Sequence, residues 1–390
     1  MTKTIEESFK HLSAYCIESD FKGWDPYDGL NSKLFQFTPL KHWSLARLAW
    51  IQLYKRSPIN LRSITLTPKG YNPKGLGLFL SAYCNLYKIN PQKEILNKIN
   101  FLANKIIELQ SLGYSGASWG YNFDWQNRAF FQPKYTPTVV VTSFVANALF
   151  DAFDLTGDEK FFKVALSSGD FVVKDLNREQ VKEGFIFSYS PLDHTKVYNA
   201  SLLGARLLAR GCSYKKKDEW LELSQIATQT IINKQKKDGS WEYGDGKRKN
   251  WIDSFHTGFN LECIQDYMRY TGDYSFQKAL KLGLKFYLDN FFLNDGTPKY
   301  YHNQIYPIDI HAPAQLIVTI TKLNLFKEHQ RLIEKVLNWT IKNMQNNNGY
   351  FYYQLKRIFS SKISYMRWSQ AWMFYAFCKY LNAKVDENLD

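Results

Sequence analysis

Three histidines lie close to an aspartate just before, or at the start of, a helix-forming segment. The pairs are Asp193-His194, Asp253 with His256, and Asp309 with His311. A carboxylate that holds one imidazole nitrogen leaves the other free to take or give a proton, which is the arrangement of a general base. An aspartate in this position also caps the first turn of a helix, so each pair has a structural interpretation as well. The three-residue spacing of Asp253 and His256 predicts that the carboxylate orients the imidazole.

Aromatic and polar residues at matching places extend the set of candidates. Asp124 stands at the corresponding place earlier in the chain, and Arg367-Trp368 stands there near its end. Aromatic faces stack on the C–H faces of sugar rings and carboxylates accept hydrogen bonds from hydroxyl groups, so such a set suits sugar recognition. The predicted catalytic residues are His256, Asp253, Tyr198, His311 and Asp309. The predicted substrate-binding residues are Trp119, Tyr121, Asp124, Asp193, His194, Asn199, Trp241, Tyr243, Trp251, Arg367 and Trp368.

Some of these assignments compete with a structural interpretation. Tyr198 begins a helical segment, where its hydroxyl either exchanges a proton or packs in the core. Trp119 and Trp241 follow turn glycines, and packing of the turn is the alternative to ligand contact. An acidic and aromatic loop at 24–28 either closes the fold or covers a cleft.

A glycine followed by aromatic residues recurs along the chain and precedes the candidate loops. The glycines are Gly116, Gly184, Gly239, Gly296 and Gly349, at intervals of 68, 55, 57 and 53 residues. A segment with apolar residues at three- and four-residue steps precedes each glycine, and a second one follows the loop. This pattern indicates pairs of amphipathic helices. One further pair is predicted upstream, at 43–54 and 74–87.

About six helical pairs over 390 residues predict an all-α fold, an (α/α)6-type toroid in which inner and outer helices alternate around a central cleft. An open solenoid has the same repeat, but it needs polar capping repeats at its ends, and the sequence shows none. No Pro/Ser-rich linker interrupts the pairs, so residues 1–390 are predicted to form a single toroid domain. The loops that enter the inner helices should then face the cleft.

Composition and charge exclude several classes of protein. Hydrophobic residues make up 45% of the chain and charged residues 22%, which excludes a disordered or fibrous protein. The 50 Lys and Arg against 36 Asp and Glu give a net charge of +14, which would attract an anionic polysaccharide. No RNA-binding signature or long basic helix accompanies the charge, so nucleic acid is not expected as a partner.

Cofactor and targeting motifs are missing from the sequence. The five cysteines form no CxxC pair, and no HxxxH, P-loop or Rossmann glycine pattern is present, so neither a metal nor another cofactor is expected. The N-terminus has no signal-like apolar run, and the apolar stretch at 139–153 is too short to cross a membrane. These features and the scattered cysteines predict a cytoplasmic protein without a transmembrane segment.

Two turns resemble the turn motif of terpene-cyclase-type toroids, a glutamine a few residues before Gly-x-Trp. They are Gln235-Lys-Lys-Asp-Gly239-Ser-Trp241 and Gln345…Gly349-Tyr-Phe351, the second with Phe in place of Trp. The whole chain more closely resembles VpsJ-type polysaccharide-biosynthesis proteins, which are related in fold to the C-terminal domain of D-glucuronyl C5-epimerases. The matching stretches are Gly23-Trp-Asp-Pro-Tyr-Asp-Gly29, Pro58-Ile-Asn-Leu-Arg62, Asn72-Pro-Lys-Gly75, Asp253-Ser-Phe-His256-Thr-Gly-Phe259 and Asp309-Ile-His311. This resemblance implies a role in a capsule or exopolysaccharide pathway, with an anionic or neutral polysaccharide or oligosaccharide, and other biosynthesis proteins, as partners.

The resemblance makes a uronate C5-epimerase-like enzyme the first hypothesis. Removal of the C5 proton needs a cation beside the sugar carboxylate, for which Arg367 or His311 is predicted. It also needs a base and an acid on opposite faces of the sugar, for which His256 and Tyr198 are predicted. A polysaccharide lyase shares the first step of this reaction.

Three alternatives stand beside this hypothesis. A glycoside hydrolase would use two of Asp124, Asp193, Asp253 and Asp309 as acid and base. A non-catalytic glycan-binding accessory protein would need only the cleft. A lipid-cyclising or prenyl-transferring enzyme would need a dry apolar cleft, which the carboxylate-rich loops argue against.

Overall fold

Helices alternate along the chain between an outer and an inner ring. The computed structural model describes residues 4–126 and 131–387. The outer helices are α1 (Ile5–Glu18), α5 (Lys93–Glu108), α7 (Glu159–Lys174), α9 (Asp218–Ile232), α11 (Gln277–Phe291) and α13 (Phe326–Met344). The inner helices are α4 (Pro73–Ile89), α6 (Val139–Thr156), α8 (Tyr198–Tyr214), α10 (Ser254–Thr271), α12 (His311–Lys322) and α14 (Ala371–Glu387). Each inner helix packs against the next, and α14 packs back against α4, so the inner ring is closed. The predicted (α/α)6 toroid is confirmed.

The two rings differ in composition because they bury different fractions of their surface. Inner helices are buried on nearly every side, as in α8, where every residue from Tyr198 to Gly211 is buried. Outer helices bury one face, as α5 does with Ile99, Leu102 and Ile106, and turn the other to solvent. Each fully buried large apolar side chain contributes about 1.5–3 kcal/mol, so this shared core drives formation of the ring.

Helix α6 is apolar because it belongs to the inner ring. Within the described residues it is the one helix long and apolar enough to cross a membrane, by length and composition alone. It packs between α4 and α8, and most of its residues are buried there. Thr138 caps its first turn, and Gly157, at φ 70°, ends it. The helix is therefore longer than the apolar stretch predicted at 139–153, and its neighbours in the ring account for its composition.

Turn glycines hold each outer helix against the next one. A Cβ atom on Gly239 would lie 2.4 Å from a backbone oxygen of α11, and one on Gly349 would lie 2.3 Å from a backbone oxygen of α1. Both glycines have positive φ values, 94° and 93°, which other residues rarely adopt. Gln345 joins the same elements, since its Nε2 donates to Gly349 O and to Ser8 O in α1, both at 2.9 Å. Helix α1 therefore follows α13 in the outer ring, and the glutamine–glycine motif joins neighbouring repeats.

Residues 24–70, the cap, lie outside the two rings. They contain α2 (Lys33–Gln36), α3 (Ser44–Arg56) and two 3-10 turns, Asp28–Asn31 and Pro39–His42. The cap has a small hydrophobic core of its own, which consists of Leu30, Phe35 and Ile51 of α3. The prediction that segments 43–54 and 74–87 form a helical pair of the ring is wrong, because α1 packs beside α13 and α14 as an outer helix and 43–54 lies in the cap. Helical periodicity does not reveal which helices pair in space.

The first loop of the cap closes the ring. Both carboxylate oxygens of Asp25 accept hydrogen bonds from Arg367, at 2.5 and 2.9 Å, and both side chains are buried. The two residues are 342 positions apart, so this pair joins the first repeat to the last. A second buried pair, Asp28 with Arg62 at 2.7 Å, ties the same loop to the end of the cap. Ring closure is thus one of the two roles predicted for residues 24–28.

Three short antiparallel strand pairs lie in the described loops that lead into inner helices. They are β1 (Trp125–Gln126) with β2 (Phe131–Gln132), β3 (Arg178–Val181) with β4 (Gly184–Phe187), and β5 (Ile308–Asp309) with β6 (Gln354–Leu355). One outer helix separates each inner helix from the next, so the inner helices all run in the same direction. The loops that enter them therefore gather at one end of the ring.

We expect Asp25→Asn to lower the free energy of unfolding by about 3 kcal/mol, because it leaves the buried Arg367 guanidinium without a counter-charge. Urea unfolding at pH 7 measures this loss. Asp20→Asn is the matched control, since Asp20 pairs with Lys22 at 2.9 Å on the exposed surface and such pairs contribute little. Equally small losses in the two variants would contradict the closing role of Asp25.

Candidate active site

Aromatic side chains from successive repeats form a circle at the end of the ring where the inner helices begin. Its half-buried members are Tyr121, Tyr189, Tyr243, Trp251, Tyr300 and Trp368. The hydroxyl oxygens of Tyr121 and Tyr189 lie 3.2 Å apart, and the rings of Tyr243 and Trp251 stack with centroids 4.3 Å apart. The guanidinium of Arg367 lies 4.9 Å from the Tyr121 ring and completes the circle. We call the space between these half-buried rings the cleft, and the ring faces can stack on flat, partly apolar molecules.

Tyr27 of the cap stands over this cleft. Its ring lies 5.8 Å from that of Trp368, and its hydroxyl accepts a hydrogen bond from Lys55 Nζ at 3.0 Å. The pKa values of Tyr121 and Tyr243, on two different repeats, are raised mainly by burial and further by the nearby Tyr27. The loop at 24–28 therefore covers part of the cleft as well as closing the ring.

Asp253, His256 and Trp251 form one hydrogen-bonded group on the cleft wall. Asp253 is the N-cap of α10, and its Oδ1 accepts from the backbone N of His256 at 3.0 Å. Its Oδ2 lies 2.7 Å from His256 Nδ1 and accepts from Trp251 Nε1 at 2.9 Å. Asp253 therefore has both predicted roles at once: one carboxylate oxygen caps the helix, and the other holds the imidazole of His256.

The second nitrogen of His256 is the atom of this group that is open to the cleft. The side chain is 20% exposed, and its Nε2 makes no hydrogen bond to a described residue. The rings of Tyr243 and Phe255 flank the imidazole at 4.6 and 4.2 Å. His256 Nε2 is therefore free to accept or donate a proton on the cleft side, while Asp253 fixes the imidazole through Nδ1.

Asp309 holds a second aromatic wall, but it is not itself accessible. Its Oδ1 accepts from the backbone N of His311 at 3.0 Å and from Trp368 Nε1 at 2.9 Å, and its Oδ2 accepts from Gln354 Nε2 at 2.6 Å. Burial raises the pKa of Asp309 to about 6, and these donors offset only part of the increase. The carboxyl group positions Trp368 rather than touching a ligand.

His311 is a neutral, buried imidazole. Its ring lies parallel to Phe255 at 4.5 Å and packs against Trp372 at 4.2 Å, and neither ring nitrogen is hydrogen-bonded to any residue that the structure describes. Burial, with the nearby Lys74 charge, holds the pKa of His311 well below its usual range. The prediction that His311 neutralises a substrate carboxylate is therefore wrong at neutral pH, because the imidazole carries no charge.

Arg367 and Tyr198 also differ from their predicted roles. Arg367 is buried, and Asp25 already compensates its charge, so it is not free to bind a substrate carboxylate. The Tyr198 hydroxyl donates to Asp245, which itself pairs with Lys234 after outer helix α9. The pairing directs Tyr198 toward the outer ring rather than toward His256, so its predicted role as the opposing acid is wrong.

Two predicted tryptophans pack the repeats instead of contacting a ligand. Trp119 and Trp241 are almost completely buried, and their Nε1 atoms donate to backbone oxygens of outer helices, Ile106 O at 2.8 Å and Ile231 O at 2.9 Å. Their assignment to substrate binding is wrong, because both indoles fill the space between the rings.

The remaining predicted residues divide between loop structure and cleft. Asp193 is buried and caps its own loop, accepting from Ser190 and Thr195. His194 is 73% exposed and pairs with Glu179 of β3 at 2.7 Å, away from the aromatic circle. Asp124 is half-buried and accepts from Lys134 N at 2.7 Å. Asn199 is buried, and its Oδ1 accepts no hydrogen bond within 4–126 and 131–387.

Sequence reasoning missed Lys74, a buried lysine in the first turn of α4. Its Nζ lies 4.3 Å from the centroid of Phe144 and 5.5 Å from that of Trp372, and no described residue pairs with it. Burial, and then the nearby Arg367 charge, hold the pKa of Lys74 well below its usual range. The signal was the Asn72-Pro73 start of α4, since an N-cap and a proline at the first position fix Lys74 in the first turn of an inner helix.

Within residues 4–126 and 131–387, no group of three or more His, Cys, Asp or Glu side chains is arranged to hold a metal ion. The aromatic circle, the Asp253–His256 pair and Lys74 are thus the chemical features that the cleft offers.

Comparison with known proteins agrees with this architecture. A family model described as the β-L-arabinofuranosidase GH127 catalytic domain matches residues 41–202, less than half of the chain. No curated protein matches the sequence at a significant level. An unsaturated glucuronyl hydrolase specific for heparin superposes with a TM-score of 0.64 at 12% identity, over 98% of each chain. The chain has the fold of the six-hairpin glycosidase-like α/α toroids.

Other solved structures share this fold over most of their length. Cellobiose 2-epimerase from Bacillus thermoamylovorans B4167 has a TM-score of 0.64 at 12% identity, over 80% of this chain and 88% of that one. The GH76 α-mannanase BT2949 of Bacteroides thetaiotaomicron has a TM-score of 0.62 at 13% identity, over 81% and 88%. The fold implied by the two sequence resemblances is confirmed, while the family model that matches is not that of the polysaccharide-biosynthesis proteins.

Asp309→Asn tests the burial of this carboxyl group. The folded-state pKa of about 6 lies above the ordinary value of 3.8, so the folded protein binds the proton more tightly and Asp309 costs stability as the pH rises from about 4 to 7. The variant avoids this cost, so its free energy of unfolding relative to the native protein should rise by on the order of 2–3 kcal/mol over that range.

Denaturant unfolding at a series of pH values measures this difference. Asp218→Asn, which removes an exposed carboxyl group of α9, is the control and should show no such rise. A constant difference between Asp309→Asn and the native protein would mean that Asp309 does not titrate in this window.

Proposed function

We propose that this protein is a carbohydrate-active enzyme in which His256 is the acid–base residue. The observation that carries the proposal is the Asp253–His256 pair, with Nδ1 held at 2.7 Å and Nε2 open to a cleft of aromatic side chains. A held imidazole with one open nitrogen transfers protons near neutral pH. The partial match to a glycosidase catalytic domain supports a carbohydrate substrate.

The cleft has the composition of a sugar site. Half-buried Tyr and Trp rings offer faces for the C–H side of a sugar ring, and the tyrosine hydroxyl groups offer hydrogen bonds at the edges. The Tyr121 and Tyr189 hydroxyls, 3.2 Å apart, and the open His256 Nε2 are placed to meet sugar hydroxyl groups. A purely apolar lipid would leave these polar atoms without partners, which disfavours lipid chemistry.

Glycoside hydrolysis is the first candidate reaction. Water attacks the anomeric carbon, the bond from that carbon to the leaving oxygen breaks, and one proton moves from the water to the leaving oxygen. We assign this proton transfer to His256. The usual pair of free carboxylates is not favoured, because Asp193, Asp253 and Asp309 each use both oxygens to hold neighbouring groups. The family model and the hydrolase-like fold support hydrolysis.

Isomerisation is the second candidate, and the dominance of an imidazole over free carboxylates in the cleft favours it. His256 would remove a proton from a carbon next to a carbonyl or carboxylate, and the sugar would regain a proton there or at the adjacent carbon. In the C5-epimerase form predicted from the sequence, a cation must face the sugar carboxylate. Arg367 is paired with Asp25, and burial lowers the pKa values of both His311 and Lys74, so none of these three residues supplies that cation and the C5-epimerase form is not favoured. A place in a capsule or exopolysaccharide pathway stays a prediction.

His256→Ala should lower turnover at least about 100-fold, the usual contribution of an acid–base residue. Asp253→Asn should lower it less, because the imidazole remains but is no longer oriented. His194→Ala is the matched control, since it removes an exposed imidazole that also pairs with a carboxylate at 2.7 Å, and it should leave turnover unchanged.

The assay incubates each protein in D2O with β-L-arabinofuranosides, unsaturated glucuronyl oligosaccharides and uronate-containing polysaccharides. Release of reducing sugar without deuterium at carbon indicates hydrolysis, and deuterium at a sugar carbon indicates isomerisation. Binding without either product, or full activity in His256→Ala, would contradict the proposal and favour a glycan-binding accessory protein.

A further inference from the structure

Large apolar side chains are exposed on the cap far more densely than elsewhere. The cap holds nine of the 22 exposed large hydrophobic residues among those described, although it is only residues 24–70. They are Leu34, Phe37, Leu40, Trp43, Leu45, Leu53, Ile59, Ile64 and Leu66, with Phe37 87% and Leu45 80% exposed. Scattered exposed hydrophobics are normal, but a concentration of this kind marks a surface that binds something.

Helix α3 presents one apolar face to the protein and another to solvent. Ile51 and Tyr54 are buried in the fold. Leu45, Ala49 and Leu53, four residues apart, form an exposed stripe along the opposite side. A helix packed on one side only normally carries polar residues on its outer face. The outer face of α3 is therefore suited to an apolar environment that the described chain does not supply.

The charge of this surface is entirely of one sign. No Asp or Glu occurs between Asp28 and Glu94. Lys33, Arg56 and Lys69 are exposed around the apolar residues. Exposed Trp and Phe side chains with Lys and Arg at their edges match the boundary of an anionic lipid bilayer, where rings enter the headgroup region and cations meet lipid phosphates. Protein interfaces are instead depleted in lysine.

A loop from the last repeat extends this surface. The loop before α14 contains the strongly exposed Ile358 and Phe359, and basic residues flank them in sequence at 356, 357 and 362. The pKa of Lys356 is lowered mainly by partial burial and further by Arg56 and Lys55, so this loop lies beside the end of α3. Two segments that are distant in sequence, and that are both basic and apolar, thus lie near each other.

We propose that the cap and loop 356–362 form a docking surface for anionic lipid bilayers, with α3 lying in the interfacial plane. Tyr27 and Lys55 of the same cap reach the aromatic cleft, so docking would bring the cleft close to glycans held at a membrane surface. The proposal is independent of the reaction catalysed, because it rests on the outer face of the cap.

Vesicle co-sedimentation of the full-length chain tests this surface. The probes are phosphatidylcholine vesicles and vesicles of phosphatidylcholine mixed with an equal part of phosphatidylglycerol. We expect binding to the anionic vesicles, at least about tenfold weaker binding to the neutral ones, and loss of binding at high salt. The triple variant F37S/W43S/L45S should lower binding to anionic vesicles at least about tenfold.

Leu112→Ser is the matched control, because Leu112 is 89% exposed but lies outside the cap. It should bind like the native protein, and circular dichroism confirms that each variant is folded. A charge variant, K33E/R56E/K69E, should also lose binding while keeping its fold. Absence of vesicle binding, or equal binding by the native protein and both multiple variants, would overturn the proposal. A dimer in analytical ultracentrifugation that F37S/W43S/L45S dissociates would also overturn it and assign the surface to a second copy of the chain.

Discussion

The buried pair of Asp25 and Arg367 is the constraint on which the rest of the structure depends. It joins positions 342 residues apart with hydrogen bonds of 2.5 and 2.9 Å, where the first and last repeats meet. Burying two charges is costly, so the pair adds little net stability over an apolar contact, but its two hydrogen bonds specify a single geometry. Here that geometry is a closed ring whose inner helices all begin at one end. Closure brings loops from distant parts of the chain around one cleft, and no single repeat could build that cleft alone.

The carboxylates of the cleft hold other groups in place, so the proposed proton transfer is assigned to an imidazole. Asp253 caps α10, fixes Trp251 and binds His256 Nδ1, while Asp309 fixes Trp368. Each aspartate thereby serves the helix and the cleft at once, which explains why the structural and functional interpretations of the sequence could not be separated. The two buried cations differ, since Arg367 is neutralised by Asp25 whereas Lys74 pairs with no carboxylate among the described residues and its pKa is lowered. The reactive groups are therefore few and rigidly supported.

The sequence predicted those features of the structure that depend on residues close together along the chain. The recurrence of turn glycines predicted the helical pairs and the toroid, and the spacing of Asp253 and His256 predicted their contact. Residues whose partners are distant in sequence were misassigned. The partner of Arg367 is Asp25, near the other end of the chain, and the partner of Tyr198 is Asp245, which belongs to none of the recognised motifs. The burial of His311 between Phe255 and Trp372, and the position of α3 in the cap, depend on ring closure. Spacing along the chain carries no information about such contacts.

The tautomer of His256 tests the central claim most directly. In protein labelled with 15N-histidine, NMR reports which ring nitrogen carries the proton when the imidazole is neutral. If Asp253 Oδ2 holds Nδ1 as a donor, as their 2.7 Å separation implies, His256 is protonated at Nδ1 and its Nε2 is open to the cleft. In Asp253→Asn this preference should be lost. A neutral His256 protonated at Nε2 in the native protein would contradict the account, because its open nitrogen would then be unable to accept a proton from substrate or water.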